Sequence, residues 1–231
     1  MQYFNLAIDG PAGAGKSTIA KAVASKLKFI YVDTGAMYRA MALYSLRCGL
    51  GSESTEEEIE RFCEQADITI CYEDGVQQVI LNGENVSAFI RTEEVGNQAS
   101  VISSYLPVRK KLVELQQQLA KKANVIMDGR DIGTCVLPNA QAKIYLTASS
   151  RVRAERRFHE LLAKGESCNL DEIEADIKER DYRDMHREHS PLVQAEDAVL
   201  VDTSEMSIEQ VIDRIIQIAG EKGFNGSNRW R

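Results

Sequence analysis

The sequence predicts an α/β fold: a parallel five-stranded sheet flanked by helices, with a small antiparallel β insert and a helical lid. Three observations carry this expectation. Short apolar runs alternate with segments of helical period along most of the 231-residue chain, as in strands buried on both faces and joined by crossover helices. Residues 67–90 break that alternation with two strand-like runs around the turn signal Asp74-Gly75. Residues 150–188 are long, charged and poor in apolar anchors.

Taken in order, YFNLAID at 3–9 is a short apolar run that stops at Gly10, and it reads as a buried strand. A glycine-rich stretch to Gly15 follows, and Lys16–Leu27 then places Ile19, Ala20, Val23, Ala24 and Leu27 at helical spacing. FIYV at 29–32 is a second strand, with a helix from about Ala36 to Cys48 and another over 55–66. DITICYE and VQQVIL form the antiparallel insert, and Asn82-Gly83 marks a further turn. Residues 93–122 are expected to be helical in two pieces broken near Pro107. NVIMD (124–128), AKIYLT (142–147) and AVLVD (198–202) supply the remaining parallel strands. The charged segment 150–188 is helical with an interruption at 165–169, and 207–222 is a last amphipathic helix. The tail from 223 to 231 has no period and is expected to be loose. These readings give one domain over 1–222. Its core comprises 1–64, 92–149 and 189–222, its insert 65–91 and its lid 150–188.

Composition narrows the function. The net charge is −7, with 44% hydrophobic and 27% charged residues, so neither duplex nucleic acid nor an anionic membrane surface is an expected partner. The five cysteines form no CxxC pair and have no histidine at zinc-site spacing, so they read as reduced packing residues. The first residues, MQYFNLAIDG, lack the basic and apolar regions of a signal peptide, and no run of about 20 apolar residues is present. A cytoplasmic setting is expected.

Gly10-Pro11-Ala12-Gly13-Ala14-Gly15-Lys16-Ser17 fits G-x-x-x-x-G-K-[ST] throughout, between a strand and a helix. Glycines let the backbone N–H groups converge on phosphate oxygens, and the helix start adds the positive end of its dipole. Lys16, expected at a solvent-facing site, supplies a full charge, and the Ser17 hydroxyl completes the coordination of Mg²⁺ carried with ATP. The guanine-reading [NT]-K-x-D motif of GTPases is absent. Small-molecule kinases, nucleotide kinases and ATPase motors remain.

Three constellations bear on the acceptor. Asp33-Thr34-Gly35-Ala36-Met37-Tyr38-Arg39 and Asp128-Gly129-Arg130-Asp131 each follow a strand, where α/β sheets place ligands. Arg39 and Arg130 therefore suit an anionic acceptor. Arg180, Arg183, Asp184 and Arg187 share one helical face within about 100° of arc, and Arg153, Arg156 and Arg157 share another. Charged helices are usually just solvated faces. Beside a phosphate loop, arginines expected to stabilise a transferring phosphoryl group are the better reading, and the two helices then form a lid. His159, His186 and His189 read as surface residues. Asp9 either caps the loop or helps order the site, and both options stand.

The segments IDGPAGAGKST, VDTGAMYR, IRTEEV, VRKKL, MDGRDIGTCVLPNA, KIYLTAS, ERDYRD and HSPLV together resemble the bacterial-type cytidylate kinases, nucleoside monophosphate kinases of the P-loop class, over nearly the whole chain. The resemblance implies transfer of the γ-phosphoryl of ATP to CMP or dCMP by a monomer, with Mg²⁺ and without nucleic acid or membrane. It implies an ATP site at Gly10 to Ser17 extended by Thr18, and a catalytic set of Lys16, Arg130, Arg156, Arg157 and Arg187. It assigns the acceptor phosphate to Thr34, Arg39 and Arg130, the cytosine to Ser100, Arg109 and Asp131, and the sugar to Arg180 and Asp184. The chemistry of the base agrees: the N4 amine of cytosine donates to a carboxylate such as Asp131, whereas O4 of uracil is repelled. Within the class, a UMP/CMP- or AMP-preferring enzyme is the alternative. Outside it stand a P-loop regulatory protein and a shikimate kinase, the latter weakened by Gly35 at a position where a carboxylate is expected.

Overall fold

The computed structural model describes residues 3–225. In chain order these form β1 (Asn5–Asp9), α1 (Lys16–Leu27), β2 (Ile30–Asp33), α2 (Thr34–Arg47), α3 (Glu56–Gln65), β3 (Ile68–Glu73), β4 (Val76–Leu81), β5 (Glu84–Asn85), α4 (Glu93–Ile102), α5 (Leu106–Ala120), β6 (Val125–Gly129), β7 (Ala142–Thr147), α6 (Ser150–Ala163), α7 (Leu170–His186), β8 (Val199–Asp202) and α8 (Ile208–Glu221). A π-helical turn, Ile132–Val136, follows β6. The helix expected from Ala36 begins at Thr34, because Asp33 caps it by accepting from the Ala36 N–H at 2.9 Å. Pro107 does not make the break between α4 and α5. It sits in the first turn of α5, where its missing N–H costs nothing, and the break falls at 103–105.

The chain divides into two compact units, Met1–Tyr31 with Lys122–Arg231, and Val32–Lys121. The expected organisation runs on other lines, with an insert at 65–91 and a lid at 150–188 set against the core. The second unit takes in α2 to α5 because its three-stranded sheet, order β3-β4-β5, is too small to bury a face without them. Ile59, Ile102 and Leu112 from three of these helices are fully buried, and the rings of Tyr44 and Phe62 stack at 4.9 Å.

The five-stranded sheet has the order β2-β6-β1-β7-β8. β1 is central, pairing in parallel with β6 (Ile8 opposite Asp128) and with β7 (Ile8 opposite Ile144). Its apolar run is buried on both faces, Leu6 and Ile8 showing no exposure. α8 presents Val211, Ile215 and Ile218 to this core and starts at a Ser207–Gln210 capping box. The loose tail expected from 223 is corrected at its start. The Phe224 N–H donates to the Ala219 carbonyl at 3.0 Å, and its ring packs 4.8 Å from Phe29 and 5.4 Å from Phe4, because an aromatic side chain gains more from that contact than from water. The rest of the tail lies outside the described residues. No helix among the described residues is long and apolar enough to cross a membrane.

Candidate functional site

The first unit holds the phosphate loop between β1 and α1. Gly10 has φ 150°, and a Cβ there would collide with the Leu146 carbonyl oxygen, so only glycine lets the loop leave β1 against β7. Gly15, left-handed at φ 84°, sits at the N-cap position of α1. Lys16 is not solvent-facing as expected but buried, its Nζ donating to the Pro11 carbonyl at 2.7 Å. Burial and then the Arg130 charge push its pKa well below the usual lysine value, against the pull of Asp128, Asp9 and Asp184.

Asp128 ends the apolar run of β6 and is buried. Its Oδ2 accepts from Ser17 Oγ at 2.8 Å, and its Oδ1 from Tyr31 Oη at 2.8 Å. Asp9 ends β1 and accepts the backbone N–H groups of Ile132 (2.8 Å) and Gly133 (2.7 Å). Of its two roles, this one is ordering: it caps the π turn that carries Asp131. Burial raises its pKa to about 6, opposed by those two hydrogen bonds. Among the described residues no three or more His, Cys, Asp or Glu side chains could cage a metal ion. Ser17 Oγ and the Asp128 carboxylate are instead a sparse set of hard oxygens, which fits an ion that keeps water and phosphate ligands.

Arg130 donates from Nε to Asp184 Oδ2 at 2.8 Å and from Nη1 to the Gly129 carbonyl at 3.2 Å. Burial works against its charge, but Asp184 and Asp128 outweigh it and hold the guanidinium above the usual arginine value. Burial likewise opposes the charge on Asp184, and Arg130, Arg180 and Arg187 overcome it, leaving the carboxyl below the usual range. Asp131 lies 3.6 Å from Nη2 of Arg187, whose Nε donates to the Ser190 carbonyl at 2.6 Å. Lys16, Ser17, Asp128, Arg130, Asp131, Asp184 and Arg187 are thus linked through direct contacts or strong mutual fields.

The two arginine stripes are not assembled as expected. Arg153 is buried, bonding the Ala12 and Ala148 carbonyls and pairing with Asp181. Arg156 is turned to Thr203, donating to its carbonyl at 2.7 Å, and Arg157 pairs with Glu160 at 2.9 Å on the surface. Arg183 lies 3.8 Å from Glu179 on an exposed face, and Arg187 stands past the end of α7. Helical spacing puts side chains on one side, but long arginines then go to whichever oxygen lies nearest.

In the second unit, Thr34 is buried in the first turn of α2. That turn is braced by Arg91 on Asp33 Oδ2 (2.8 Å) and by Gln77, which exchanges two hydrogen bonds with the Asp33 backbone. Arg39 donates to the Ile90 carbonyl at 3.3 Å and lies against Gly96, where a Cβ would crowd it. Arg109 is buried, its guanidinium 5.6 Å from the centre of the Tyr38 ring and bonded to the Ser103 carbonyl at 3.2 Å. Ser103 Oγ in turn donates to the Ser100 carbonyl at 3.0 Å, so Ser103 bonds both Arg109 and the Ser100 backbone.

Sequence reasoning missed Tyr31, Arg153 as a loop contact, and Asp181. Asp128, placed by its motif but given no role beside Ser17, had a signal in its place at the end of an apolar strand. Nothing in the spacing of Tyr31 or Asp181 marks either residue.

A family described as cytidylate kinase matches residues 6–221. A protein of Listeria welshimeri named cytidylate kinase is 50% identical over 218 residues, 94% of this chain and 96% of its own. Another of that name from Desulfitobacterium hafniense is 49% identical over 221 residues, 96% and 94% of the two chains. A solved structure of an uncharacterized protein from Eubacterium ventriosum superposes with a TM-score of 0.52 at 9% identity, covering 94% and 98% of the two chains, a likeness of fold alone. With the phosphate loop, the Asp128–Asp131 turn and the Arg130–Asp184 pair inside the matched span, the chain belongs to the cytidylate kinase family.

Proposed function

We propose that the protein transfers the γ-phosphoryl group of ATP to CMP or dCMP, giving ADP and CDP or dCDP. The observation that carries this reading is the cluster in the first unit: Lys16 of a complete phosphate loop within the field of Arg130, whose own charge is secured by Asp184 on α7. The nucleotide sits on the loop formed by Gly10 to Thr18. A phosphate arriving there draws Lys16 from the Pro11 carbonyl and favours its charged form, because the anion offsets the burial that lowers its pKa. Ser17, with Asp128 beside it, holds Mg²⁺, which supplies charge neutralisation on the phosphates when bound.

Thr34, Arg39 and Arg130 bind the acceptor phosphate, Ser100, Arg109 and Asp131 the base, and Arg180 and Asp184 the sugar. The acceptor phosphate is already an anionic nucleophile, so no general base is required. Catalysis is alignment plus charge stabilisation by Lys16, Arg130, Arg187 and the lid arginines. Arg156 and Arg157 leave Thr203 and Glu160 when the lid closes over bound phosphates. We assign the reaction to a cytoplasmic monomer acting on free nucleotides, in keeping with the net charge of −7.

Coupled ADP release, measured across CMP, dCMP, UMP, AMP, GMP and shikimate, tests the assignment. CMP and dCMP should exceed every other acceptor by about ten-fold or more in kcat/KM. UMP turnover equal to that with CMP would overturn the cytidine assignment.

A further inference from the structure

Ala12 lies at the tip of the phosphate loop, and one ion pair takes both of its backbone polar groups. Arg153 on α6 donates from Nη1 to the Ala12 carbonyl at 2.8 Å, and the same nitrogen lies 2.7 Å from Asp181 Oδ2 on α7. Asp181 Oδ1 accepts the Ala12 N–H at 3.3 Å. Arg153 Nε is tied to the Ala148 carbonyl, just past β7, at 2.9 Å. Ala12, Arg153 and Asp181 are 7%, 6% and 8% exposed, so water cannot substitute for these bonds.

The carbonyl and N–H of one residue belong to successive peptide planes, and the pair therefore fixes two. The plane joining Pro11 to Ala12 is held at both ends, by Asp181 on its N–H and by Lys16 Nζ on its C=O at 2.7 Å. A carboxylate on the N–H side polarises that peptide and strengthens its carbonyl as an acceptor for the ammonium. The resting place of Lys16 thus depends on a side chain of α7. At Gly13, the next residue, a Cβ would meet Cβ of Arg153 at 3.5 Å, an ordinary van der Waals contact. The loop tip is accordingly shaped by α6 and α7 rather than by its glycines alone.

We propose that Arg153 and Asp181 are positioning residues for ATP: a buried clamp from the two lid helices that sets the conformation of the phosphate loop at Ala12 and, through it, the place of Lys16. The proposal rests on the loop being the ATP site. A clamp that only held the helices down would alter stability, or both substrates together, and not ATP selectively.

Three variants separate these roles: Asp181→Asn, Arg153→Lys, and the apolar double variant Arg153→Met with Asp181→Leu. Removing both charges avoids an orphaned buried ion and keeps the fold. Arg153→Lys keeps the charge but loses the planar fork that reaches three acceptors. Calorimetry with a non-hydrolysable ATP analogue, KM for ATP and for CMP, and melting temperature are read for each. ATP affinity and KM for ATP should worsen about ten-fold in Asp181→Asn and in the double variant, and less in Arg153→Lys, with KM for CMP moving under about three-fold. Unchanged ATP affinity in Asp181→Asn and Arg153→Lys, whatever their melting temperatures, overturns the clamp. So does an equal rise in both KM values. Failure of the parent protein itself to bind the analogue removes the ATP site, and the proposed function with it, before any variant is compared.

Discussion

At the scale of single residues, Lys16 and Asp131 carry the sharpest consequences. Lys16 is surrounded by Asp9, Asp128 and Asp184 as well as Arg130, and it rests on the Pro11 carbonyl. Lys16→Met removes the charge with little loss of volume. The variant should fold, since methionine suits a buried site, while kcat falls about a hundred-fold or more, the usual cost of one charge-stabilising donor. Circular dichroism and the coupled assay check both halves, and a kcat within ten-fold of the parent's would count against the mechanism. Asp131 is 3.6 Å from Arg187, so its carboxylate has two possible tasks: reading the base, or holding that arginine. As an acceptor-only group it should favour the cytosine N4 amine, and Asp131→Asn should lower the CMP-over-UMP ratio of kcat/KM about ten-fold. Loss of both activities with the ratio intact would assign Asp131 to Arg187 instead.

At the scale of elements, α6 and α7 differ from the rest of the first unit. α6 buries only Arg153 and Ala154, and α7 only Asp181. Their exposed pairs, such as Arg151 with Asp171 and Arg157 with Glu160, add little in water. Helices anchored by polar contacts open at low cost. Amide exchange across 150–188 should therefore slow when ATP and CMP analogues are bound together, and unchanged protection would mean that these helices do not close. The sequence was most legible at this scale. Apolar runs located β1, β6 and β7, and Asp74-Gly75, with Asp74 left-handed at φ 49°, located the β3–β4 hairpin. The π turn at 132–136 was not legible, because the carboxylate that caps its first two N–H groups, Asp9, comes from a distant strand. The arginine stripes were legible as helix faces only. Two of their partners, Ala12 and Thr203, follow from tertiary proximity that spacing does not encode, whereas Glu160 is a local partner three residues from Arg157.

At the scale of the whole molecule, the division at Val32 and Lys121 was illegible for a related reason: the periods of α2 to α5 show that they bury a face, not which sheet they bury it against. The candidate site fared better, since residues such as Lys16, Arg130 and Asp184 lie on motifs with a chemical rationale. One global property now follows from a residue that the sequence left undecided. Asp9 has its pKa raised from 3.8 to about 6 by burial. Between those values the folded protein holds a proton that the unfolded chain has released, so stability falls as pH rises through the window. Asp184, Asp197 and Asp202 have lowered values and act in the opposite sense, adding stability above their usual range that is lost as pH falls through their folded values. Asp9→Asn isolates the first contribution. It forfeits one good backbone acceptor at every pH, a constant loss, but cannot ionise. The unfolding free energy of the variant minus that of the parent should therefore rise by about 2 kcal/mol between about pH 4.5 and pH 7. Urea unfolding at both values measures it. A difference that stays flat with pH would show that the Asp9 carboxyl ionises in the folded protein as it does in the unfolded chain, and that its two hydrogen bonds offset its burial.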